Sequence, residues 1–524
     1  MSLFRKIATL AVVCAGSVSG GALADTPSMP PLPPISTVIY PGSQAYPLAP
    51  RLALVIGVAT LKDGTGFLGL KNPMNDAAAV SAALHAAHFT VTNLDDVYRP
   101  EELTRQNIKK AIYDFAITLQ STGGVGVIYF SGHGVERNGQ EYVAPYDAYV
   151  RFERDLGEEL IPVRLFYDAF AYAKNPLNIL IIDACRDNPW AKGLAPFGGE
   201  ASATNPPASR DVVLATSTLS GEKSLDGSDS LSPYAAGFVE AMHQPDLGLG
   251  DFFSTVGDSV LELQKKYANV DMPALLLPAG HDFVFVPTIV TFNREQQIYQ
   301  TGVSLGNRAL LQRLTTKFAG GYFYKAAKYW LDNAPLAPVI PQPTKTAELR
   351  FQSALQNLPS RTSKVLEVKP AGTRLAVSDK AFFSKKWVAV DASWRADPAY
   401  LPSDSVIVKP LNLKKATITL DYEGTSKEGL ENLTSDSMQK ITALKNEYSP
   451  TLSRIEVVGY HYGGPKHDPK NNLRLLERQA TAVRALSEIG YDAQMIGLSD
   501  RNTETIIKQD SVEIIVTGTK EHLQ

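Results

Sequence analysis

Asn178-Ile179-Leu180-Ile181-Ile182-Asp183-Ala184-Cys185-Arg186-Asp187 decides the fold. An aliphatic run, Ile179 to Ile182, passes directly into charge and a cysteine. A short apolar run bounded by polar residues reads as a buried strand of a parallel sheet. Ligands and reactive groups in open α/β sheets gather at the carboxyl ends of such strands, and Cys185 stands at that end. The chain has 2 cysteines. The other, Cys14, falls in a segment with the marks of a cleaved leader, so Cys185 is read as the single thiol of the mature protein and a candidate reactive group.

Outward from this run the pattern alternates. Strands are expected at Leu52 to Val58, Phe89 to Leu94, Gly126 to Phe130 and Val212 to Ala215, with a further one at Phe283 to Val286. Helices are expected at Asn75 to Ala87, Pro100 to Gln120, Leu165 to Tyr172, Tyr234 to Met242 and Asp251 to Tyr267. Ile108, Ile112, Phe115 and Leu119 give the second of these an apolar stripe at helical spacing. Strand–helix alternation predicts an α/β fold, a mostly parallel sheet flanked by helices. Residues 187–210 interrupt it with prolines and glycines, and a long irregular loop beside a reactive strand end points to function or disorder.

The 524 residues correspond to roughly three domains. Hydrophobic residues make up 44% and charged residues 20%, as in ordinary globular proteins. A net charge of −3 gives no electrostatic footprint for nucleic acid. The start, Phe4-Arg5-Lys6, then Ile7 to Val18, then Ala22-Leu23-Ala24, has the basic, apolar and small-residue regions of a secretory signal peptide over residues 1–24. A membrane anchor fits less well, because the run is short and broken by glycines. Residues 25–50 read as a proline-rich extended linker. The expectation is an exported protein of the periplasm or cell envelope, with no transmembrane span in the mature chain.

A thiol becomes a strong nucleophile when a nearby base takes its proton. The search is therefore for a histidine at the end of a neighbouring strand, and Val127-Ile128-Tyr129-Phe130-Ser131-Gly132-His133-Gly134 supplies it. The caspase signature places its histidine about 50 residues before its cysteine, which is the separation of His133 and Cys185. Tyr-Phe-Ser-Gly-His-Gly followed by Asp-Ala-Cys-Arg-Asp resembles the caspase-like cysteine peptidases, in particular their bacterial metacaspase-like (orthocaspase) branch. The resemblance covers residues 51–287 and is supported by Asn75-Asp76-Ala77, Ala144-Pro145-Tyr146-Asp147-Ala148, Ser224-Leu225-Asp226-Gly227 and Ser232-Pro233. It implies that Cys185 is the nucleophile and His133 the general base and acid, with the backbone N–H groups of Gly134 and Cys185 forming the oxyanion hole. One departure is Gly57-Val58-Ala59-Thr60, where family members often carry Gly-Asn-x-x-Tyr.

The resemblance also implies a specificity. Caspases carry glutamine two residues before the cysteine; this chain has Asp183 there. In metacaspases the matching aspartate lines the primary pocket with a second aspartate from the first loop, in a motif like Asn75-Asp76. Two carboxylates suit a cationic side chain, so the expected substrates are peptides or proteins with arginine or lysine before the scissile bond. Alone, Asp76 would read as a helix N-terminal acid beside the macrodipole, and Asp183 as a partner of Arg186. Dyad chemistry requires no cofactor. Asp226 and Asp229 lie in a Gly/Ser-rich loop that reads first as a solvated loop and second as a source of carboxylates for calcium, which some metacaspases need, and the other histidines lack metal-ligand spacing. Lys192 and Arg210 make the 187–210 loop a candidate for self-cleavage.

Beyond the peptidase-like region, residues 290–343 read as a helical segment and linker, with aromatic residues expected in a core. Residues 348–410 resemble a small Src-homology-3-like β module. Residues 413–520 carry strand, helix, strand, helix, strand in an α+β pattern that resembles the OmpA-like envelope domain. Gly459 and the run Asn472 to Ala480 follow that family's glycine turn and helix signature. The family's aspartate and arginine, which grip diaminopimelate in peptidoglycan, correspond here to Tyr462 and Gln479. The resemblance therefore suggests envelope association without carrying that grip over. The competing functional reading is a non-catalytic envelope scaffold or binding protein that retains a caspase-like fold.

Overall fold

The structure is a computed structural model. It describes residues 48–62, 69–137, 139–152, 155–184, 212–218, 226, 230–265, 273–278, 282–334, 345–377, 386–391, 399–423, 430–450, 453–462, 472–503 and 511–519. The expected leader, Cys185 and the 187–210 loop lie outside these residues.

The first region is built around a six-stranded sheet. Its elements begin with strand β1 (Arg51–Gly57), helix α1 (Pro73–Ala86), β2 (Thr90–Asn93), α2 (Arg105–Thr122) and β3 (Val125–Gly132). A side meander comes next: β4 (Gly134–Arg137), β5 (Gln140–Val143), α3 (Asp155–Glu159) and β6 (Ile161–Pro162). Then come α4 (Arg164–Ala173), β7 (Leu177–Ala184), β8 (Val212–Thr216), α5 (Pro233–Met242), α6 (Leu249–Gln264) and β9 (Ala274–Leu276). The strand order is β2-β1-β3-β7-β8-β9. All pairs are parallel except β8 with β9.

The alternation of side chains along the central strands explains the two helical layers. Ala53, Val55, Val127, Tyr129, Ile179 and Ile181 pack with residues of α1, α5 and α6 in one core. Leu52, Leu54, Ile56, Ile128, Phe130, Leu180 and Ile182 pack on the opposite face with α2 and α4. Burial on both faces is why β3 and β7 carry continuous apolar sequence. The stripe on α2 is buried as expected. That helix starts at Arg105 rather than Pro100, because Pro100–Glu102 forms a 3₁₀ turn and Thr104 is the N-cap, its hydroxyl accepting from the Asn107 N–H.

Phe283 to Val286 is not a strand, contrary to expectation. Its apolar sequence serves packing: Phe283 and Phe285 are buried in an aromatic cluster with Phe89, Phe238 and Phe252. The carbonyls of Val284 and Phe285 accept from the Arg51 guanidinium instead of from a neighbouring strand. One edge of the sheet is formed instead by β9, antiparallel to β8.

Helices α7 (Ile289–Ser304), α8 (Arg308–Lys317) and α9 (Tyr324–Asn333) succeed it. Phe318, Tyr322 and Phe323 are buried as expected, whereas Tyr329 is exposed. These helices share one core with the C-terminal layers. A seven-stranded antiparallel sheet comes next: β10 (Lys345–Leu349), β11 (Ser353–Gln356), β12 (Val365–Lys369), β13 (Arg374–Val377), β14 (Trp387–Asp391), β15 (Ala399–Pro402) and β16 (Val406–Pro410). The last layers are β17 (Lys414–Leu420), the short pair β18 (Tyr422–Glu423) and β19 (Asn432–Leu433), α10 (Ser435–Glu447), β20 (Arg454–Tyr462), α11 (Asn472–Glu488), β21 (Gly497–Thr503) and β22 (Ser511–Gly518). Their sheet runs β17-β22-β20-β21. Among the described residues, no helix is long and apolar enough to cross a membrane.

Candidate functional site

The site is set by register. Along β3 and β7, Ser131 lies opposite Asp183 and Gly132 opposite Ala184. His133 comes directly after Gly132, and Cys185 directly after Ala184, in the sequence. Gly132 has φ +156, and a Cβ there would lie 2.9 Å from the Val58 carbonyl oxygen, so a glycine is required at this turn out of the sheet. His133 is half-buried between β3 and β4, and its carbonyl accepts from the Ala144 N–H at 2.9 Å. Gly134 is buried and pairs with Val143. Cys185 lies one residue past the last described position of β7.

The two aspartates come from different elements and meet behind this edge. Asp183 is on β7 and Asp76 is in the first turn of α1. Both are buried, at 4% and 1% exposure. Ser232, the N-cap of α5, joins them. Its N–H donates to Asp76 Oδ1 at 2.8 Å and its hydroxyl donates to Asp183 Oδ2 at 2.6 Å. The Ser131 hydroxyl donates to Asp76 Oδ2 at 2.9 Å, and the Tyr129 hydroxyl to Asp183 Oδ2 at 3.2 Å. Asp76 thus accepts from neighbouring elements rather than capping its own helix.

Electrostatics follow from this geometry. Burial, and then the charge of Asp183, raise the Asp76 pKa from 3.8 to about 8, against the opposing hydrogen bonds from Ser232 and Ser131. Two like charges this close cannot both ionise at low cost in a desolvated site. Burial and the same carboxylates hold the Tyr129 hydroxyl well above its ordinary value, so it stays a donor. Asp76 therefore keeps its proton at neutral pH unless a cation takes its place.

Asp226 fastens the site from behind. Its carboxylate accepts from the Lys71 N–H at 2.8 Å and the Asn72 N–H at 3.2 Å, and the Asn72 side-chain amide donates to its carbonyl. The loop after β8 is thereby tied to the entry of α1. Asp229 lies outside the described residues. Among the described residues, no group of three His, Cys, Asp or Glu side chains is placed to hold a metal ion.

Sequence reasoning singled out Asp76, Asp183, His133 and Gly134, and all four lie at or just behind one sheet edge. It missed Ser131, Tyr129 and Ser232 as partners of the aspartates. The first two lie in the run that ends at His133. Ser232 carried a separate signal, a serine immediately before Pro233 at the start of a helical pattern.

In the C-terminal layers, Gln479 is buried. Its amide donates to the carbonyls of Val457 and Ser499 and to Asp500 Oδ1. Asp500 is in turn paired with Arg313 at 2.7 Å and with Lys317. Tyr462 is the last residue of β20.

Residues 50–279 match the family model of the caspase domain, and the parallel-rich sheet flanked by helices in this region is consistent with a caspase-like fold. Human mucosa-associated lymphoid tissue lymphoma translocation protein 1 is 28% identical over 136 residues, 26% of this chain and 15% of that protein. Its mouse homolog is 27% identical over 117 residues, 22% of this chain and 13% of that protein. The chain thus spans only a small part of the length of either curated relative. Among solved structures, caspase-1 from Spodoptera frugiperda is similar with a TM-score of 0.35 and 16% identity, over 45% of this chain and 90% of that one.

Proposed function

We propose that this protein is an exported cysteine endopeptidase that cleaves after arginine or lysine. The observation that carries the reading is the meeting of Asp76 and Asp183, far apart in sequence, behind the strand edge that ends at His133 and Ala184. A buried pair of carboxylates at that place suits a guanidinium or ammonium group.

In this reading the substrate's basic side chain enters between the aspartates, and its scissile carbonyl lies over the strand ends. His133 takes the proton of the Cys185 thiol, and the thiolate attacks the carbonyl carbon. The N–H groups of Gly134 and Cys185 receive the developing oxyanion, each such donor contributing roughly 3 kcal/mol to the transition state. His133 then protonates the departing amine. Water, deprotonated by His133, hydrolyses the thioester and restores the thiol. The leader-like residues 1–24 support export to the periplasm or envelope, and the OmpA-like pattern supports association with the envelope; fractionation of cells expressing the full chain tests both.

The deciding assay compares fluorogenic peptides carrying Arg, Lys or Asp before the reporter, with the wild type and with Cys185→Ala. Turnover of the basic peptides that disappears in the variant is expected. Equal turnover by both proteins sinks the reading, and absence of turnover by both favours a non-catalytic scaffold.

A further inference from the structure

Two carboxylates suit any cation, and the way they are held decides which cation they prefer. Carboxylates that rotate freely would receive a guanidinium and an ammonium alike, because a point charge makes little demand on geometry. A planar fork does, since its parallel N–H bonds need oxygens fixed in orientation.

Ser232 touches both groups at once. Its backbone N–H holds Asp76 Oδ1 and its hydroxyl holds Asp183 Oδ2. It is itself held: its hydroxyl oxygen accepts from the Ala235 N–H at 3.0 Å as the N-cap of α5. Its φ of −62° and ψ of 152° are ordinary extended values before a proline. Ser232 is buried, at 4% exposure. Thus one residue, anchored to the first turn of a core helix, fixes an oxygen of each aspartate, Asp76 through its backbone and Asp183 through its side chain.

Resting on the assignment of these aspartates to the substrate pocket, we propose that Ser232 is the positioning residue that gives the Asp76–Asp183 pocket its preference for a guanidinium over an ammonium group. Removing its hydroxyl frees Asp183 from one of its donors while leaving the N–H on Asp76 in place. Recognition of a fork then suffers more than recognition of a point charge.

The test measures binding rather than turnover. The full chain carrying Cys185→Ala is titrated calorimetrically with N-acetyl-arginine amide and with N-acetyl-lysine amide. The parent should bind the arginine probe more tightly. Adding Ser232→Ala should weaken the arginine probe about tenfold, the worth of one hydrogen bond to a charged group, and the lysine probe less than about threefold. Ser232→Thr should restore the parent ratio. Ser232→Gly keeps an acceptable helix N-cap without the hydroxyl donor, so it should lose less thermal stability than Ser232→Ala and still lose the arginine preference. An unchanged ratio in Ser232→Ala, an equal loss for both probes, no rescue by threonine, or no binding of either probe to the parent overturns the proposal. If the probes behave as expected while the protein with Cys185 intact cleaves no peptide, the pocket assignment stands and the peptidase reading alone fails.

Discussion

Gly132 and Ala184 face each other across the parallel pair β3–β7, and in the sequence His133 and Cys185 are the residues that come directly after them. The pairing is maintained from Val125–Leu177 through all eight positions of each strand. Any catalytic use of the two residues depends on that register and on the turn at Gly132.

Gly132→Ala tests this dependence. The added Cβ would meet the Val58 carbonyl oxygen at 2.9 Å and the Phe130 ring at 3.1 Å, at a φ that side chains rarely adopt. Backbone relief must move His133. Turnover of basic peptides is expected to fall at least about tenfold, and stability by about 1–3 kcal/mol, read by kinetics and by denaturant unfolding. Activity within twofold of wild type would show that the turn does not position the histidine.

Asp183→Asn keeps the shape of the pocket and removes one negative charge. A hydrogen bond to a charged group contributes about 1.5–3 kcal/mol, so KM for arginine peptides should rise about tenfold to a hundredfold. The effect on kcat should be smaller, because the cation is bound in both ground and transition states. A fall in kcat with KM unchanged would contradict a binding role.

Asp76 makes the pocket sensitive to pH. Its folded pKa is about 8, above the unfolded value of 3.8. Between these values the folded chain keeps a proton that the unfolded chain has lost, so stability falls as pH rises from about 4 to about 8. Asp76→Asn should flatten that slope in denaturant titrations across the window. A bound cation replaces the same proton, so KM for arginine peptides should decrease as pH rises towards 8 in the wild type and change less in Asp76→Asn. The groups facing Asp76 are Asp183 on β7, Ser131 on β3, Ser232 at α5 and Asp226 on the loop after β8. Tyr129 and Tyr234 face Asp183 and stay protonated throughout. Identical KM profiles for the two proteins would refute the exchange.

Asp226 bears on calcium. Its carboxylate already accepts from two backbone N–H groups, and donors at both oxygens leave it poorly disposed to a divalent cation. A chelator should leave the activity unchanged. Asp226→Ala should instead raise KM, by releasing the loop after β8 from the entry of α1. Loss of activity in chelator, restored by calcium, would reverse this assignment.

How much of the fold and site was legible in sequence depends on the physics of each element. β3 and β7 are buried on both faces and announce themselves as continuous apolar runs. Gly134-Val135-Glu136-Arg137 is partly exposed and short, so β4 and its meander gave no comparable pattern. Gly497 to Thr503 pairs with β20 through its backbone yet carries mostly polar side chains. Phe283 to Val286 misled in the opposite sense, since apolar sequence there serves packing around Arg51 rather than sheet pairing. The aspartate pair was reachable through motif resemblance. Its link through Ser232 was not, because Ser232 and Asp76 are 156 residues apart and only tertiary structure joins them.

Arg51 offers a last test, of how the caspase-like domain is joined to helices α7 to α9. It begins β1, is 3% exposed, and lies over the Phe283 ring with its guanidinium 4.6 Å from the ring centroid. It donates to the carbonyls of Ala87, Val284, Phe285 and Gly320. Gly320 belongs to the turn before α9, and the same turn is held by buried Glu295 of α7, which accepts from the Phe323 N–H at 3.1 Å. Burial lowers the Arg51 pKa to about 10, opposed by the charge of Glu295, so the guanidinium stays charged at neutral pH. Arg51→Met strands these buried carbonyls, at a cost of about 1–3 kcal/mol for an acceptor left unsatisfied. The unfolding midpoint should fall by several degrees or more. Arg51→Lys should recover only part of the loss, since one ammonium cannot span carbonyls from three segments. Arg51 pairs with Val125, at the opposite end of the sheet from Gly132, about 23 Å away along the strand. Well below the midpoint, kcat and KM should therefore match the wild type. Wild-type stability in Arg51→Met would show that this residue does not join the two parts of the chain.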